Sequence, residues 1–306
     1  MTYHCPMLFN IIVATMRKSL IVHFLLFMVF VSGTMTAQTT DLFRLEYMNI
    51  PNSSDDNSIQ RFRALAQVPI PIKDDYLVFA FDYRYLTLEF NDDVPFSTDD
   101  LGSTQRIEGT VGYIHKYNDH WRFALRGGVR LASNFDGAMV SDDYLYLVSA
   151  YALNNRLEDE SLDRPYRLIL GLLYSTTPGR NYPLPFINYH VELGKWSYSL
   201  GVPKTNVHYY LTEKHRIQGF ATLDNFFANI QQNKIVDGKL AENISMTNAL
   251  LGVGYEYYFT DHLLFYTYVA HSVYNDYRLR NNDRDDIYVI HDKNSLYFRT
   301  GIRFKF

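Results

Sequence analysis

The chain has 306 residues, a formal net charge of -4, one cysteine, and 26 Tyr with 21 Phe among its 47% hydrophobic residues. An acidic chain whose cations are dispersed excludes a nucleic-acid surface. A single thiol, Cys5, excludes disulfides and cysteine metal sites in any form of the chain that has lost its amino end.

The amino end reads as a secretory signal. Met16-Arg17-Lys18 precedes an apolar run from Leu20 to Val31 and the small-residue segment Ser32 to Ala37, so cleavage is expected after Ala37, before Gln38. Residues 1–15 are then an extended leader or lie ahead of a start at Met16, and residues 38–306 form one domain. A retained anchor is the alternative, but the run falls short of the roughly 20 apolar residues a spanning helix needs. Cys5 precedes the run, so no lipoprotein anchor is expected.

Beyond the leader one pattern repeats, in which apolar and polar residues alternate and then a turn follows. Arg61–Ile70 sets Phe62, Ala64, Ala66 and Val68 against Arg61, Arg63 and Gln67. Leu77–Tyr85 and Ile107–Tyr113 continue it. Trp121–Leu131 places Trp121, Phe123, Leu125, Val129 and Leu131 opposite Arg122, Arg126 and Arg130, and the pair Gly127-Gly128 disfavours a helix there. Period two throughout predicts strands. The segment 143–153 is apolar on both faces, leaving its orientation open. Further strands are predicted at Tyr166–Tyr174, Phe186–Glu192, Trp196–Val202, Val207–Leu211, Arg216–Asp224, Ala249–Phe259 and Leu263–Val273.

The last strand is the most sharply divided. Leu296, Phe298, Thr300, Ile302, Phe304 and Phe306 share one face, while Tyr297, Arg299, Gly301, Arg303 and Lys305 share the other. Such a strand suits a barrel wall between lipid and a wet interior. Its aromatic face (Phe298, Ile302, Phe304, Phe306) is similar to the signal by which barrel assembly machinery recognises its substrates.

Short connections at 73–75, 118–120, 194–195, 213–214 and 260–261 alternate with longer polar ones at 51–57, 91–103, 134–142, 177–183, 231–243 and 281–294. Only 154–164 is long where a short turn is due. Short turns at one rim and long loops at the other predict an all-β fold: a transmembrane antiparallel up-and-down barrel of about 14 strands. Pro203 interrupts 196–211, and if its two short pieces do not both span, about 12 strands remain.

Several features carry a family resemblance. These are the leader ending Thr36-Ala37-Gln38, the stretch Tyr182-Pro-Leu-Pro-Phe186, the segment Lys195-Trp-Ser-Tyr-Ser-Leu-Gly-Val-Pro203, the turns before His120, His215 and His262, and the terminal Phe304-Lys305-Phe306. With them the chain resembles the uncharacterised outer-membrane barrel families typical of Bacteroidetes, in particular one known only as a domain of unknown function. The resemblance implies a fold and a location and supplies no catalytic residue.

If apolar faces meet lipid, then Arg61, Arg63, Arg84, Arg122, Arg126, Arg130, Arg167, Arg216, Arg299 and Arg303 point into the lumen, outnumbering Asp82, Glu108, Glu192, Asp224 and Glu256. Arg122, Arg126, Arg130, Arg299 and Arg303 are the candidate binding residues for anions. Trp121, Trp196, Tyr255, Tyr257 and Phe259 suit an interfacial girdle better than a sugar platform. Paired acids at 55–56, 92–93, 99–100, 142–143 and 285–286 fall in the long loops. They read as solubilising, with divalent-cation binding as the alternative.

His190 and Glu192 lie one strand from Ser197 and Ser199, the best arrangement for the parts of a serine hydrolase. Polar residues facing a wet lumen explain it more simply, since every other strand carries them too, and no enzyme activity is expected. Glycine phosphate loops are absent and His208, His215 and His262 have no metal spacing, so no cofactor or metal is expected. The partners expected are outer-membrane lipid, lipopolysaccharide and the barrel assembly machinery. The function expected is porin-like passage of small anionic solutes, with a plugged structural or surface-binding barrel and an outer-membrane hydrolase as alternatives.

Overall fold

The computed structural model describes residues 41–51, 58–90, 94–180 and 182–305. The predicted leader and Phe306 lie outside the described residues. The strands are β1 (Asp41–Ile50), β2 (Ser58–Ile72), β3 (Asp75–Glu89), β4 (Ser103–Lys116), β5 (Trp121–Ser133), β6 (Tyr144–Arg156), β7 (Tyr166–Ser175) and β8 (Leu184–Leu193). They continue as β9 (Trp196–Val202), β10 (Lys204–Tyr210), β11 (His215–Val236), β12 (Lys239–Tyr258), β13 (Leu263–Arg280), β14 (Asp286–His291) and β15 (Leu296–Lys305).

Each strand from β1 to β13 pairs antiparallel with the next, β13 also pairs with β15, and β15 returns to β1. This closes a ring of 14 strands, with β14 standing off it as a short ribbon on β13. Closure leaves no free sheet edge along the seam between the chain ends, where Phe43 lies opposite Phe304 and Leu45 opposite Ile302. Both short pieces flanking Pro203 belong to the ring, so the 12-strand alternative does not hold.

Alternation sets the two faces. Phe79, Phe81, Leu125, Val129, Leu251, Val253, Phe298 and Ile302 are exposed on the outside, while Glu46, Arg61, Asp82, Glu108, Glu256 and Arg303 are buried within. The ambiguous segment 143–153 is resolved by burial: Tyr144, Tyr146 and Val148 face out, and Leu145 faces in. Near the short turns, Trp121 stacks on Phe123, Trp196 packs on Tyr209, and Tyr257 meets Phe259 edge to face. A closed ring with an apolar exterior and a charged interior is a transmembrane barrel, and its membrane is the bacterial outer membrane.

Three elements depart from the sequence reading. β1 precedes the first predicted strand, which starts at Arg61. Residues 231–243 are no loop: β11 and β12 run on to a two-residue turn at Asp237-Gly238, whose φ values of 50° and 76° are those of a tight hairpin. The connection at 281–294 contains β14.

The extended part of the β11–β12 hairpin does not continue the wall. Its backbone reaches β5, where Asn229 bridges Ser133 in the ring's only parallel contact among the described residues. Beneath it Phe226, Ile230, Val236, Ile244 and Met246 pack with Met48, Ile50, Ile59, Leu86, Leu88 and Leu101. An apolar core therefore fills one side of the barrel at its long-loop end, and it is this burial that draws the hairpin inward.

Candidate functional site

The lumen has two unlike halves. In the half bounded by β1–β3 and β11–β15, charges are matched across the interior. Arg61 of β2 donates two hydrogen bonds to Asp224 of β11, at 3.0 and 2.7 Å, although the strands are far apart around the ring. Arg299 and the Tyr297 hydroxyl donate to the same carboxylate, each at 2.7 Å. Glu46 accepts from the Tyr266 hydroxyl at 2.7 Å and lies 3.6 Å from Arg299. A Cβ at Gly301 would come within 2.7 Å of that hydroxyl, so the bare backbone of β15 is what lets Tyr266 reach across. Arg303 stacks over Tyr266 at 4.0 Å and sits within 4.0 Å of both Asp41 and Glu256. Of the predicted anion-binding residues, Arg299 and Arg303 are therefore committed to internal partners.

In the other half, around β4–β8, charges are unmatched. Arg106, Arg126 and Arg130 all converge on Glu108, at 2.6, 3.1 and 2.9 Å. Arg126 also donates to Thr110 at 2.9 Å. Register makes the crowding worse: Arg63, Arg84 and Arg106 stand directly opposite one another on β2, β3 and β4. Asp82, bound by Arg63 at 2.6 Å and Arg84 at 3.3 Å, joins Glu108 in offsetting these guanidinium groups, and Glu46 stands opposite Arg63. Like charges placed opposite each other destabilise a sheet, so the cluster carries a standing cost that an anion would relieve. Arg122, the third predicted residue of β5, lies further toward the short turns, with its Nε buried and unbonded.

A cavity of about 220 Å³ adjoins this cluster. Arg106, Arg126 and Arg130 form its charged wall, Tyr151 and Leu173 line its side, and Phe226 of the inward hairpin closes it toward the matched half. Arg126 is 39% exposed there, against 5% for Arg61.

The hairpin is latched over the lumen by polar contacts. Asn229 donates to Asp143 at 2.9 Å, Gln231 donates to the same carboxylate at 2.7 Å, and Lys234 pairs with Asp100 at 2.5 Å. Burial favours the neutral form of the Asp143 carboxyl, but hydrogen bonds from Ser133, Asn229, Gln231 and the Val140 amide outweigh it and lower its pKa. Asp286 pairs with Arg278 and Arg280. The acid pairs at 142–143 and 285–286 thus include latch and loop bonds; those at 55–56 and 92–93 lie outside the described residues.

Sequence reasoning missed Arg106, Asp41, Glu46 and the β11–β12 tip. Arg106 fell one residue before the predicted strand at Ile107. The tip had a signal, the Val236-Asp237-Gly238-Lys239 hairpin turn, masked by the surrounding Asn and Gln.

His190, Glu192 and Ser199 do meet. The His190 Nδ1 lies 2.8 Å from Ser199 Oγ and its Nε2 lies 3.3 Å from Glu192. Acyl transfer also needs donors aimed at a developing oxyanion. Here β8 and β9 are each flanked by paired strands, so the ladders occupy the nearby backbone amides. On the terminal strand Phe298 and Ile302 are exposed to lipid, and Phe304 is half-buried beside His262.

No family model matches the chain, and no curated protein sequence matches it. Similar solved structures include the KdgM porin in complex with disordered oligogalacturonate, at 9% identity and TM-score 0.36, covering 86% of this chain and 99% of that one. The NanC porin gives 12% identity, TM-score 0.36, and coverage of 86% and 100%. LpxR from Salmonella typhimurium gives 7%, 0.39, and 86% and 100%. The functional reading rests on the barrel's own interior.

Proposed function

We propose that the protein is a porin-like outer-membrane barrel that passes small anionic solutes through the β4–β8 half of its lumen. The observation that carries this is the cluster of Arg106, Arg126 and Arg130 around the single carboxylate Glu108, beside a cavity. Guanidinium groups stay charged at any working pH, and in a low-dielectric passage their surplus draws anions and repels cations. The matched half contributes stiffness and narrows the path. The Bacteroidetes-type features of the sequence support a place among the uncharacterised barrels of that group. Its proposed partners are outer-membrane lipid, lipopolysaccharide and the assembly machinery that reads β15.

Reversal potentials in planar bilayers under a salt gradient test the proposal. The expected result is anion preference, reduced about threefold by Arg126→Gln with Arg130→Gln. Cation preference in the unaltered protein rejects it, and silence from a folded barrel favours a plugged structural role.

The Ser199–His190–Glu192 contacts favour a second reading, a hydrolase. A fluorophosphonate probe that labels the folded protein, and fails to label Ser199→Ala, would support it.

A further inference from the structure

The wall is too short in one place. β9 and β10 have 7 residues each, which gives about 20 Å along the strand and, at a tilt of about 40°, about 15 Å of height against an apolar band of about 25 Å. Their periplasmic end is fixed by Trp196 in the aromatic girdle, so the shortfall lies entirely in the outer-leaflet part of the wall.

The flanking strands do not close this notch. Pairing of β8 with β9 begins only at Ile187 and Val202, leaving Leu184 to Phe186 of β8 without a β9 neighbour. Pairing of β10 with β11 ends at Lys204 and Thr222, and past Leu223 the chain of β11 turns inward to β5. The two unpaired edges, at Leu184 and at Asn225 to Phe227, both line the 220 Å³ cavity that holds the arginine cluster. The notch is therefore a side door from the outer leaflet to the unmatched cations. Its rim is apolar: Val202 and Leu223 are more than 40% exposed on the lipid face, and Leu184 is 43% exposed on the inner face, where it lines the cavity. Arg126 also shares a cross-strand row with Leu184, through Ser149 and Leu173, so the two side chains stand on the same inner face of the wall, three strands apart.

We infer that this notch binds an anionic amphiphile from the outer leaflet, its headgroup on Arg106, Arg126 and Arg130 and its alkyl chain lying out past Leu184 and Phe227 into lipid. The inference rests on the passage reading for its account of the cation surplus, and it names the class of solute. A guanidinium cluster binds phosphate or carboxylate oxygens in a fork. The apolar notch supplies what a water-soluble anion has no use for, a path for a tail that never leaves hydrocarbon.

The test uses the mature barrel in zwitterionic lipid nanodiscs, with dodecyl phosphate and inorganic phosphate as probes. An environment-sensitive fluorophore on Leu172→Cys, at the notch's lipid face, reads occupancy. Saturable binding of dodecyl phosphate at least tenfold tighter than inorganic phosphate is expected, weakened at least tenfold by Arg126→Gln with Arg130→Gln. Because those substitutions could disturb folding, a second arm starts from folded protein. A bulky maleimide on Leu184→Cys, with occupancy read by equilibrium dialysis, should abolish dodecyl phosphate binding, and the same maleimide on Phe298→Cys, on the lipid face of β15 across the barrel, should not. Equal affinity for the two phosphates overturns the inference, as does binding indifferent to the Leu184 block, which is adsorption to bilayer alone. Absence of conductance from the unaltered protein removes the passage role and leaves this binding result standing, so the two failures are distinguishable.

Discussion

The two halves of the lumen are built from the same alternating strands and reach opposite electrostatic states. Around Asp224 and Glu46 each carboxylate is surrounded by arginines and tyrosines drawn from several strands, and the hairpin seals the group from water. Around Glu108, the arginines Arg106, Arg126 and Arg130 share one carboxylate beside a cavity. A buried ion network holds its place because removing one partner strands the other charges in low dielectric. A cation surplus beside a cavity is free to exchange partners. Rigidity and selectivity are thus divided between the halves.

The difference can be broken most completely by removing the hairpin. Replacing residues 229–243 with a two-glycine turn takes away the latch and much of the apolar filling, and conductance in planar bilayers should rise by roughly tenfold as the halves merge into one wide lumen. An unchanged conductance would show that the hairpin does not limit the path.

A more local break is Asp224→Ala, which strands Arg61 and Arg299. It should cost about 3–5 kcal/mol, seen as a lower unfolding temperature in heat-modifiability gels. Glu108→Gln, in the cavity-bearing half where water reaches Arg126, should cost less than half as much. Equal losses would mean that the halves do not differ in solvation.

The outside offers a comparison that should be indifferent to the lumen. Phe298→Arg places a charge on the lipid face of β15 at a cost of about 2–4 kcal/mol near mid-membrane. Less protein should reach the outer membrane, while the protein that does insert keeps its ion selectivity. A changed reversal potential would show that the wall and lumen are coupled.

The smallest effect concerns acid. The Asp143 pKa is lowered in the folded protein, so its contribution to the latch is fully present above the ordinary carboxylate value of 3.8 and lost as pH falls below that. Conductance should be flat across neutral pH and rise only in acid, and Asp143→Asn should bring part of that rise to neutral pH. A rise between pH 5 and 7 in the unaltered protein would point to another group.

Much of this fold was legible because a barrel wall writes its two faces into alternate residues: Phe298 and Ile302 could be assigned to lipid and Arg126 and Arg130 to the interior from spacing alone. β1 was as readable, with Phe43, Leu45 and Tyr47 opposite Arg44 and Glu46, but it follows the leader so closely that no turn announced it. The inward hairpin was not readable, because Asn225, Asn229, Gln231 and Gln232 interrupt the alternation that marks a wall and serve contacts made across the lumen. Those contacts are also where the site was hidden. Arg61 and Asp224 are 163 residues apart, and nothing in either neighbourhood names the other. Parity tells which arginines face inward, while pairing across the lumen decides which of them are left over.

The β5–β11 bridge also orders events in time. The Asp237-Gly238 turn is local, and hairpins of this kind form within about 1–10 μs, so the β11–β12 unit folds early. Its docking contacts join residues almost a hundred positions apart, such as Ser133 and Asn229, and contacts of such long range form late. They also require that the hairpin's tip, with Asn229, Gln231 and Lys234, has first crossed the membrane to the far side. The seam of β1 with β15 joins positions further apart still, as at Asp41 and Lys305, so by the same rule the wall closes last, around a lid that is already folded.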